Sequence, residues 1–583
     1  MSYTVEELKA DVVVIGGGLA GSTAAIQAAE EGASVIVLET ANTYRSGNAG
    51  TGVDHIFSYV PEVHEKVGYT KDDMKKDMVM FSNLEKGLGF TELGELFVEK
   101  SYDRVIGLEK YGINFDFGGR YLVKGYRLVP QWQSIPTSFN FEGRDLKVKL
   151  TEAMKKAGVK IINRAQGVRI LTSEDGKAAG AVAVSTREEK IYAVNSKATI
   201  LTTSGMGGRL GENANTTYRH WERPSASQSG SGIALPLRAG AEVTNLEFSL
   251  HDSGLAFEGF NFTVGAPGGS WWPAGRLIDE EGNVIVERTY EISIDDPDYV
   301  TKNREIYAKY NEQKKDMMRL LSEGKELYVD FSEATDEEIE EIKHALSHEG
   351  RMWLWLQNFE AEGLDLKKIR IPYKFVRKVT IGSPDAGVLV DVHCESTVPN
   401  LYAAGDVMGA IGCTHAPGAV VYGYEAGLQA ALKIKNEELR PYNLEQVAEV
   451  VELANSIISS EDGSTWRQTE GAIKGIVGLY GRFPVSDAKV ENALDKLSEL
   501  RKEVHISAKD PHDVAKAFEV YTLLDTAEAI FTAAKLRKTS FGSYVRDHKG
   551  EKDPAENTKL YGLYYDDNGE LQFRVHESGI KKA

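Results

Sequence analysis

Short apolar runs closed by small or acidic residues alternate with stretches in which apolar residues recur every three or four positions. That order predicts strand, helix, strand. Val12-Val-Val-Ile15 leads into Gly16-Gly-Gly18-Leu-Ala-Gly21, a helical stretch follows, and a second run, Ala33-Ser-Val-Ile-Val-Leu, ends on Glu39. Further on, the helical pattern LKVKLTEAMKKAG runs into Val159-Lys-Ile-Ile, and GVRILTSEDGKAAGAVAVST carries Asp175-Gly176 as the turn of a hairpin. Ala198-Thr-Ile-Leu-Thr-Thr-Ser-Gly205 reads as another buried strand, and Asn400-Leu-Tyr-Ala-Ala-Gly405-Asp406 repeats its form much later. Two strands so far apart with matching ends predict one sheet interrupted by an insertion. After about 436 the pattern is helical, in LEQVAEVVELANSI and VENALDKLSELRKEV.

The glycines of the first turn carry specific chemistry. Gly16 lets the chain turn tightly out of the strand, Gly18 lets backbone N–H groups approach a pyrophosphate, and Gly21 lets the helix lie close to the sheet. Glu39 stands where a carboxylate can accept both hydroxyls of an adenosine ribose. The arrangement predicts a bound dinucleotide; the alternative is a glycine-rich turn that binds nothing.

Composition narrows the class. The 583 residues contain 42% hydrophobic positions, ample for sizeable cores, and 68 basic against 87 acidic side chains give a net charge of −19. Such an acidic chain is not expected to take nucleic acid or an anionic membrane as partner. No apolar stretch approaches the roughly 18 residues that span a bilayer, and no basic-then-apolar leader is visible, so a cytoplasmic location is expected. Cys394 and Cys413 are the two cysteines of the sequence. They cannot supply the four thiolates of an iron–sulfur cluster, so any cluster must lie on another chain.

These patterns divide the chain into a first dinucleotide-binding part (1–246), an α+β insertion capping it (247–375), a second dinucleotide-binding part (376–435) and a helical C-terminal region (436–583). The expected class is α/β, with an interrupted Rossmann-like domain.

Residues spread over the whole chain resemble the succinate dehydrogenase, fumarate reductase and L-aspartate oxidase flavoprotein superfamily, nearest its adenylylsulfate reductase alpha-subunit branch. They are the Gly16–Gly21 turn with Glu39, Tyr44-Arg-Ser-Gly47-Asn48-Ala-Gly-Thr-Gly52, Ser204-Gly205, Leu401-Tyr-Ala-Ala-Gly405-Asp406, and Leu536-Arg-Lys-Thr-Ser-Phe-Gly-Ser-Tyr-Val-Arg546-Asp. The resemblance implies FAD, which connects two-electron chemistry at a substrate to one-electron relays. It implies cofactor contacts at Gly16, Gly18, Ala20, Gly21, Glu39, Thr40, Arg45, Ser46, Gly47, Asn48, Gly52, Val168, Ser204, Gly205, Gly405, Asp406, Gly418, Ala419 and Val420. Respiratory members read R-S-H, with a histidine bonded to the flavin; here Arg45-Ser46-Gly47 implies non-covalent FAD.

The resemblance also implies a small-molecule substrate, a ferredoxin-like iron–sulfur partner and an oligomer. A self-contained oxidase, or an electron-transfer flavoprotein without a substrate of its own, are the alternatives. His251, in Glu247-Phe-Ser-Leu-His251, aligns with a histidine that binds a substrate carboxylate, or it hydrogen-bonds the domain junction. Arg304, upstream of Leu327-Tyr-Val-Asp330, aligns with the catalytic arginine, or it is a solvated arginine of a charged helix. Where fumarate reductases read H-x-T-M-G-G the chain has Lys378-Val-Thr-Ile-Gly382-Ser383, and where they read G-A-N-R-L-G-G it has Cys413-Thr414-His415-Ala416-Pro417-Gly418-Ala419. Ala416 replaces the arginine that clamps a dicarboxylate, so fumarate is not the expected substrate. His415 and Cys413 either address another substrate or shape the loop over the flavin. Trp271-Trp272 and Trp353-Leu-Trp355 either stack on a planar substrate or pack between domains.

Overall fold

Valine-rich runs at 12–15 and 35–38 pair in parallel, Val12 with Val35 through Ile15 with Leu38, because both faces of this sheet are covered and neither strand needs a polar side. The computed structural model describes residues 2–53, 55–85, 89–115, 121–122, 138–140, 143–205, 208–211, 228–248, 253–255, 274–288, 292, 295–340, 343, 353–375, 386–411, 414–541, 544–547, 555–566 and 568–577.

The main sheet runs in the order Lys160–Asn163, Val35–Glu39, Thr4–Ile15, Lys190–Leu201, Ala178–Ser185, Ala165–Thr172. Leu401–Ala403 joins it in parallel, with Leu401 opposite Thr199. The separated strands thus meet in one sheet. The hairpin expected around Asp175-Gly176 forms, with Gly176 at φ +74° in the turn. Its register shifts between Gly167 and Arg169, a bulge that leaves Val168 out of the ladder.

Two helices that pack on this sheet lie close to each other. A Cβ added at Gly427 of helix His415–Ile434 would stand 2.3 Å from the Ala24 carbonyl oxygen of helix Leu19–Glu30, and one at Gly423 would stand 2.6 Å from that of Ala20. Glycine at both positions is therefore what lets the late helix seat on the early one.

The insertion builds its own antiparallel sheet, ordered Ser253–Leu255, Arg370–Phe375, Leu327–Asp330, Arg276–Asp279, Val284–Val286, over a separate core containing Leu277, Val329, Ile371 and Met317. Helix Tyr299–Ser322 flanks it.

The C-terminal region is helical through Pro511–Leu536, whose seventeen buried residues face in all directions. It ends, however, on a hairpin, Lys559–Tyr565 with Leu571–Glu577, which the periodicity did not single out. That hairpin joins Val243–Thr244 through Val243 and Leu563. Arg537, wholly buried, donates to Glu247 Oε1 at 2.6 Å with its guanidinium carbon 5.0 Å from the Phe248 and Tyr561 ring centres. This pair fastens the C-terminal region to the segment from which the insertion departs. Among the described residues no helix is long and apolar enough to cross a membrane.

Candidate cofactor site

The tight first turn shows a different use for each glycine. Gly16 has φ +101°, and an added Cβ would lie 2.6 Å from the Thr202 carbonyl oxygen. Gly21 would drive a Cβ to 1.9 Å from the Gly16 carbonyl, so only glycine lets helix Leu19–Glu30 start here. At Gly18 the nearest atom to such a Cβ is Gly47 Cα, 4.0 Å away. The protein leaves that space open, as a ligand approaching the backbone requires.

A cavity opens at this turn between Gly16, Gly18, Leu38, Glu39, Thr40, Gly47, Asn48, Gln166, Gly167, Thr203, Ser204, Gln228, Ser231 and Glu519 among its lining residues. Glu39 is buried; it accepts from Gly17 N at 2.7 Å and from Ala41 N at 2.6 Å, which fixes the carboxylate at the strand end. Val168, next to Gly167, is not among the residues that line the cavity; its side chain is buried in the core with Leu171 and Val184. Ser204, at φ +66°, accepts from Gln228 Nε2 at 2.6 Å, closing the end of the neighbouring strand.

The segment after Glu39 is tied to the turn. Ser46 Oγ donates to Gly17 O at 3.1 Å, and Arg45 Nη1 donates to Arg144 O at 2.7 Å. Gly47 combines φ +76° with ψ 177°, a conformation that excludes an ordinary side chain. Gly52, at φ +116°, allows the chain to pass the backbone of Gly143 and Arg144. From the distant strand end, Gly405 at φ +78° packs a notional Cβ 2.9 Å from Ala20 Cβ, and Asp406 reaches Asn48. Gly418, Ala419 and Val420 lie in the opening of helix His415–Ile434, where Ala419 O accepts from Thr23 Oγ1 at 3.3 Å. Gly205, buried, follows Ser204.

Two residues of this site carry no sequence motif. Lys147, on helix Leu146–Lys156, is 1% exposed, and its Nζ donates to Gly17 O at 2.6 Å, Gly18 O at 3.1 Å and Ser22 Oγ at 2.6 Å. Burial pushes this amine down to about 7, with Glu39 acting in the opposite sense. A signal was available: Lys147 shares a buried helix face with Leu150, Thr151 and Met154. Glu519, 1% exposed on Pro511–Leu536, reaches the cavity from the C-terminal region. It pairs with Arg209 and, at 2.8 Å, with Lys516, while Arg209 Nε also donates to Glu470 at 3.1 Å.

Of the expected catalytic set, the described Arg304 and His415 do not line this cavity. Arg304 is on helix Tyr299–Ser322, 48% exposed, and donates to Asp73 Oδ1 at 3.2 Å, so it bridges the insertion to helix Lys71–Glu85. That placement matches a solvated arginine of a charged helix and not a group in the cofactor cavity. His415 is half-buried, opening its helix at φ +44°. His251, Cys413, Trp271, Trp272 and the 378–383 segment lie outside the described residues, as do the side chains of Trp353 and Trp355. Cys394 is buried, and its thiol is pushed up by that burial. Among the described residues no cluster of His, Cys, Asp and Glu could hold a metal ion.

The FAD binding domain model matches residues 11–419, and the fumarate reductase flavoprotein C-terminal model matches residues 485–582. The chain is 24% identical to a subunit of the fumarate reductase (CoM/CoB) of Methanothermobacter marburgensis, over 94% of its own length and 96% of that protein's. It is 26% identical to L-aspartate oxidase of Streptomyces coelicolor, over 94% and 90%. In fold it is similar to adenylylsulfate reductase of Archaeoglobus fulgidus, with a TM-score of 0.75 over 99% and 97% of the two chains at 20% identity. Cavity, glycines and matches agree: the chain belongs to the FAD binding domain family, as an FAD-dependent oxidoreductase of the flavoprotein group that includes fumarate reductase and L-aspartate oxidase.

Proposed function

We propose that this flavoprotein is the catalytic subunit of a reductase that exchanges electrons between a small-molecule substrate and a separate iron–sulfur chain. The observation that carries the reading is that the residues lining the cavity come from distant parts of the chain, from Gly16 to Glu519, while the two cysteines cannot bind a cluster and Cys394 is buried. Bound FAD would accept two electrons from one partner and release them singly to another.

The chain's own residues have distinct parts in this. Gly18 and Gly47 leave room for the pyrophosphate, and Glu39 and Thr40 receive the adenosine ribose. Gln166 and Gly167 would line the base, with the Val168 bulge beside them. Asn48 and Asp406 would hold the ribityl chain, and the opening of helix His415–Ile434, with Gly418, Ala419 and Val420, would offer its N–H groups to the cofactor. FAD is held without a covalent bond, because Gly47 offers no nucleophile. His415, half-buried at the first position of this helix, is the proposed substrate-facing group. Ala416 beside it lacks the guanidinium that would hold a second carboxylate, which favours a substrate other than a simple dicarboxylate.

Purification under anaerobic conditions from the native cell tests the partnership. A cysteine-rich chain co-purifying, and accepting electrons from the reduced flavin, is the expected result. A homo-oligomer that turns over rapidly with oxygen alone would replace it with an oxidase of the L-aspartate oxidase kind.

A further inference from the structure

Loops that bind phosphate must turn their N–H groups toward it, and their carbonyls must then point elsewhere. In this chain they point at an amine. Gly17 O, Gly18 O and Ser22 Oγ surround Lys147 Nζ, three oxygens for three protons, at 2.6, 3.1 and 2.6 Å. The helix that carries it presents Lys147 in its first turn, where a cation is disfavoured by the helix dipole, and buries it almost completely. Neither feature helps the empty fold. Both are explained by an anion on the far side of the glycine turn.

We propose that Lys147 is a positioning residue for the FAD pyrophosphate and that the cofactor is taken up together with one solvent proton, which resides on this amine. The ammonium joins Ser46 Oγ on Gly17 O and Ser22 N on Gly18 O in holding these carbonyls inward, so that the N–H groups of the same trans peptides face outward, and it puts a positive charge directly behind the turn. The proposal rests on the pyrophosphate lying at the Gly16–Gly21 turn.

The neighbouring charges leave the amine as the group that answers. From the strand Val35–Glu39, Glu39 favours the charged form. From the loop before Gly47, Arg45 is engaged by Arg144 O and, at 3.5 Å, Gly50 O. On helix Leu19–Glu30, the facing side chain is the uncharged Ser22, and Glu30 at the far end binds Lys110 and Tyr111. On the amine's own helix, Lys149 pairs with Asp145, and Lys155 with Glu152, on the outer face. Without ligand, burial pushes Lys147 down to about 7, so the empty site gives up this proton more readily than a solvated lysine does. The anionic pyrophosphate raises the amine's pKa again, and affinity must fall with rising pH in between.

Titration calorimetry of the deflavinated full-length chain with FAD, from about pH 6 to about pH 9 in buffers of differing ionisation heat, tests this. The dissociation constant is expected to rise about tenfold per pH unit above about 7, with uptake of close to one proton near pH 8. Lys147→Arg is expected to keep tight binding with a flat pH profile, and Lys147→Met to bind weakly with an equally flat profile. A wild-type constant unchanged within about twofold over this range, with no buffer-dependent heat, overturns the proposal without any variant. So does a Lys147→Met chain that keeps the wild-type profile. Gly18→Val separates the two levels: loss of FAD keeps the pyrophosphate at the turn whatever Lys147 does, whereas full FAD content moves the site itself.

Discussion

Asn48 Nδ2 stands 3.5 Å from Asp406 Oδ2, across 358 residues of sequence, where Asn48 lines the cavity. The contact is long for a hydrogen bond, so the pair frames the site more than it braces the fold. Asp406→Ala is therefore expected to weaken FAD binding by about 10- to 100-fold, the range of a lost bond to a charged group. Equal flavin retention in both proteins removes Asp406 from the site.

Gly18 and Gly21 are three residues apart and should fail differently. Gly18→Ala puts its methyl group into open space, so the empty protein should melt as wild type does while losing flavin. Gly21→Ala meets the Gly16 carbonyl at 1.9 Å and should destabilise the fold itself by about 1–3 kcal/mol or more. Denaturation curves read beside flavin content distinguish the two; matching losses of stability would contradict the assignment.

Gly47 leads to a simple chemical test. Acid precipitation should send all the yellow colour into the supernatant, and colour remaining in the pellet means a covalent link elsewhere.

Arg304→Ala should leave flavin content intact and change stability by no more than about 1 kcal/mol, because the Asp73 pair is half-exposed. Asp73 is held below its ordinary value first by the Thr70 hydroxyl and, less, by Arg304. Its contribution is present at neutral pH and fades as pH falls through that lowered value. A large loss of turnover in Arg304→Ala at unchanged flavin content would return this arginine to the catalytic set.

Stability and affinity should move in opposite directions with pH. Lys147 is depressed in the empty fold and ordinary, near 10.5, in the unfolded chain, so unfolding binds a proton between those values. The flavin-free melting temperature should climb from about pH 7 to about pH 9, while the increment added by FAD shrinks. Parallel movement of the two would contradict the buried amine.

Local signals made much of this legible. Gly16, Gly18 and Gly21 announce their turn because the steric need of each is met within a few residues, and Asp175-Gly176 announces its hairpin for the same reason. The strand at Leu401–Ala403 was legible through its resemblance to the end of Lys190–Leu201. For Lys147 the sequence offers only its place on a buried helix face, and for Glu519 nothing, since what makes them part of a site is a set of oxygens or cations brought by other elements. Arg304 shows the converse: a matching neighbourhood in sequence places the residue on a helix but does not decide which way that helix turns it. The final hairpin escaped notice because Leu571–Glu577 is largely exposed on its edge, and its apolar Phe573 and Val575 do not follow a buried stripe.

The parallel pairing of Leu401 with Thr199, and the arrival of Glu519 at the same cavity, set an order on biosynthesis. The ribosome will have released the glycine turn long before it makes the strand that completes the sheet, and longer still before the helix that closes the cavity. Contacts of such separation form slowly, and edges exposed while they wait invite misassociation. The early sheet must persist as a vacant half-pocket through most of translation, so cofactor capture belongs to the end of chain synthesis and a nascent chain stalled before Pro511–Leu536 should emerge colourless.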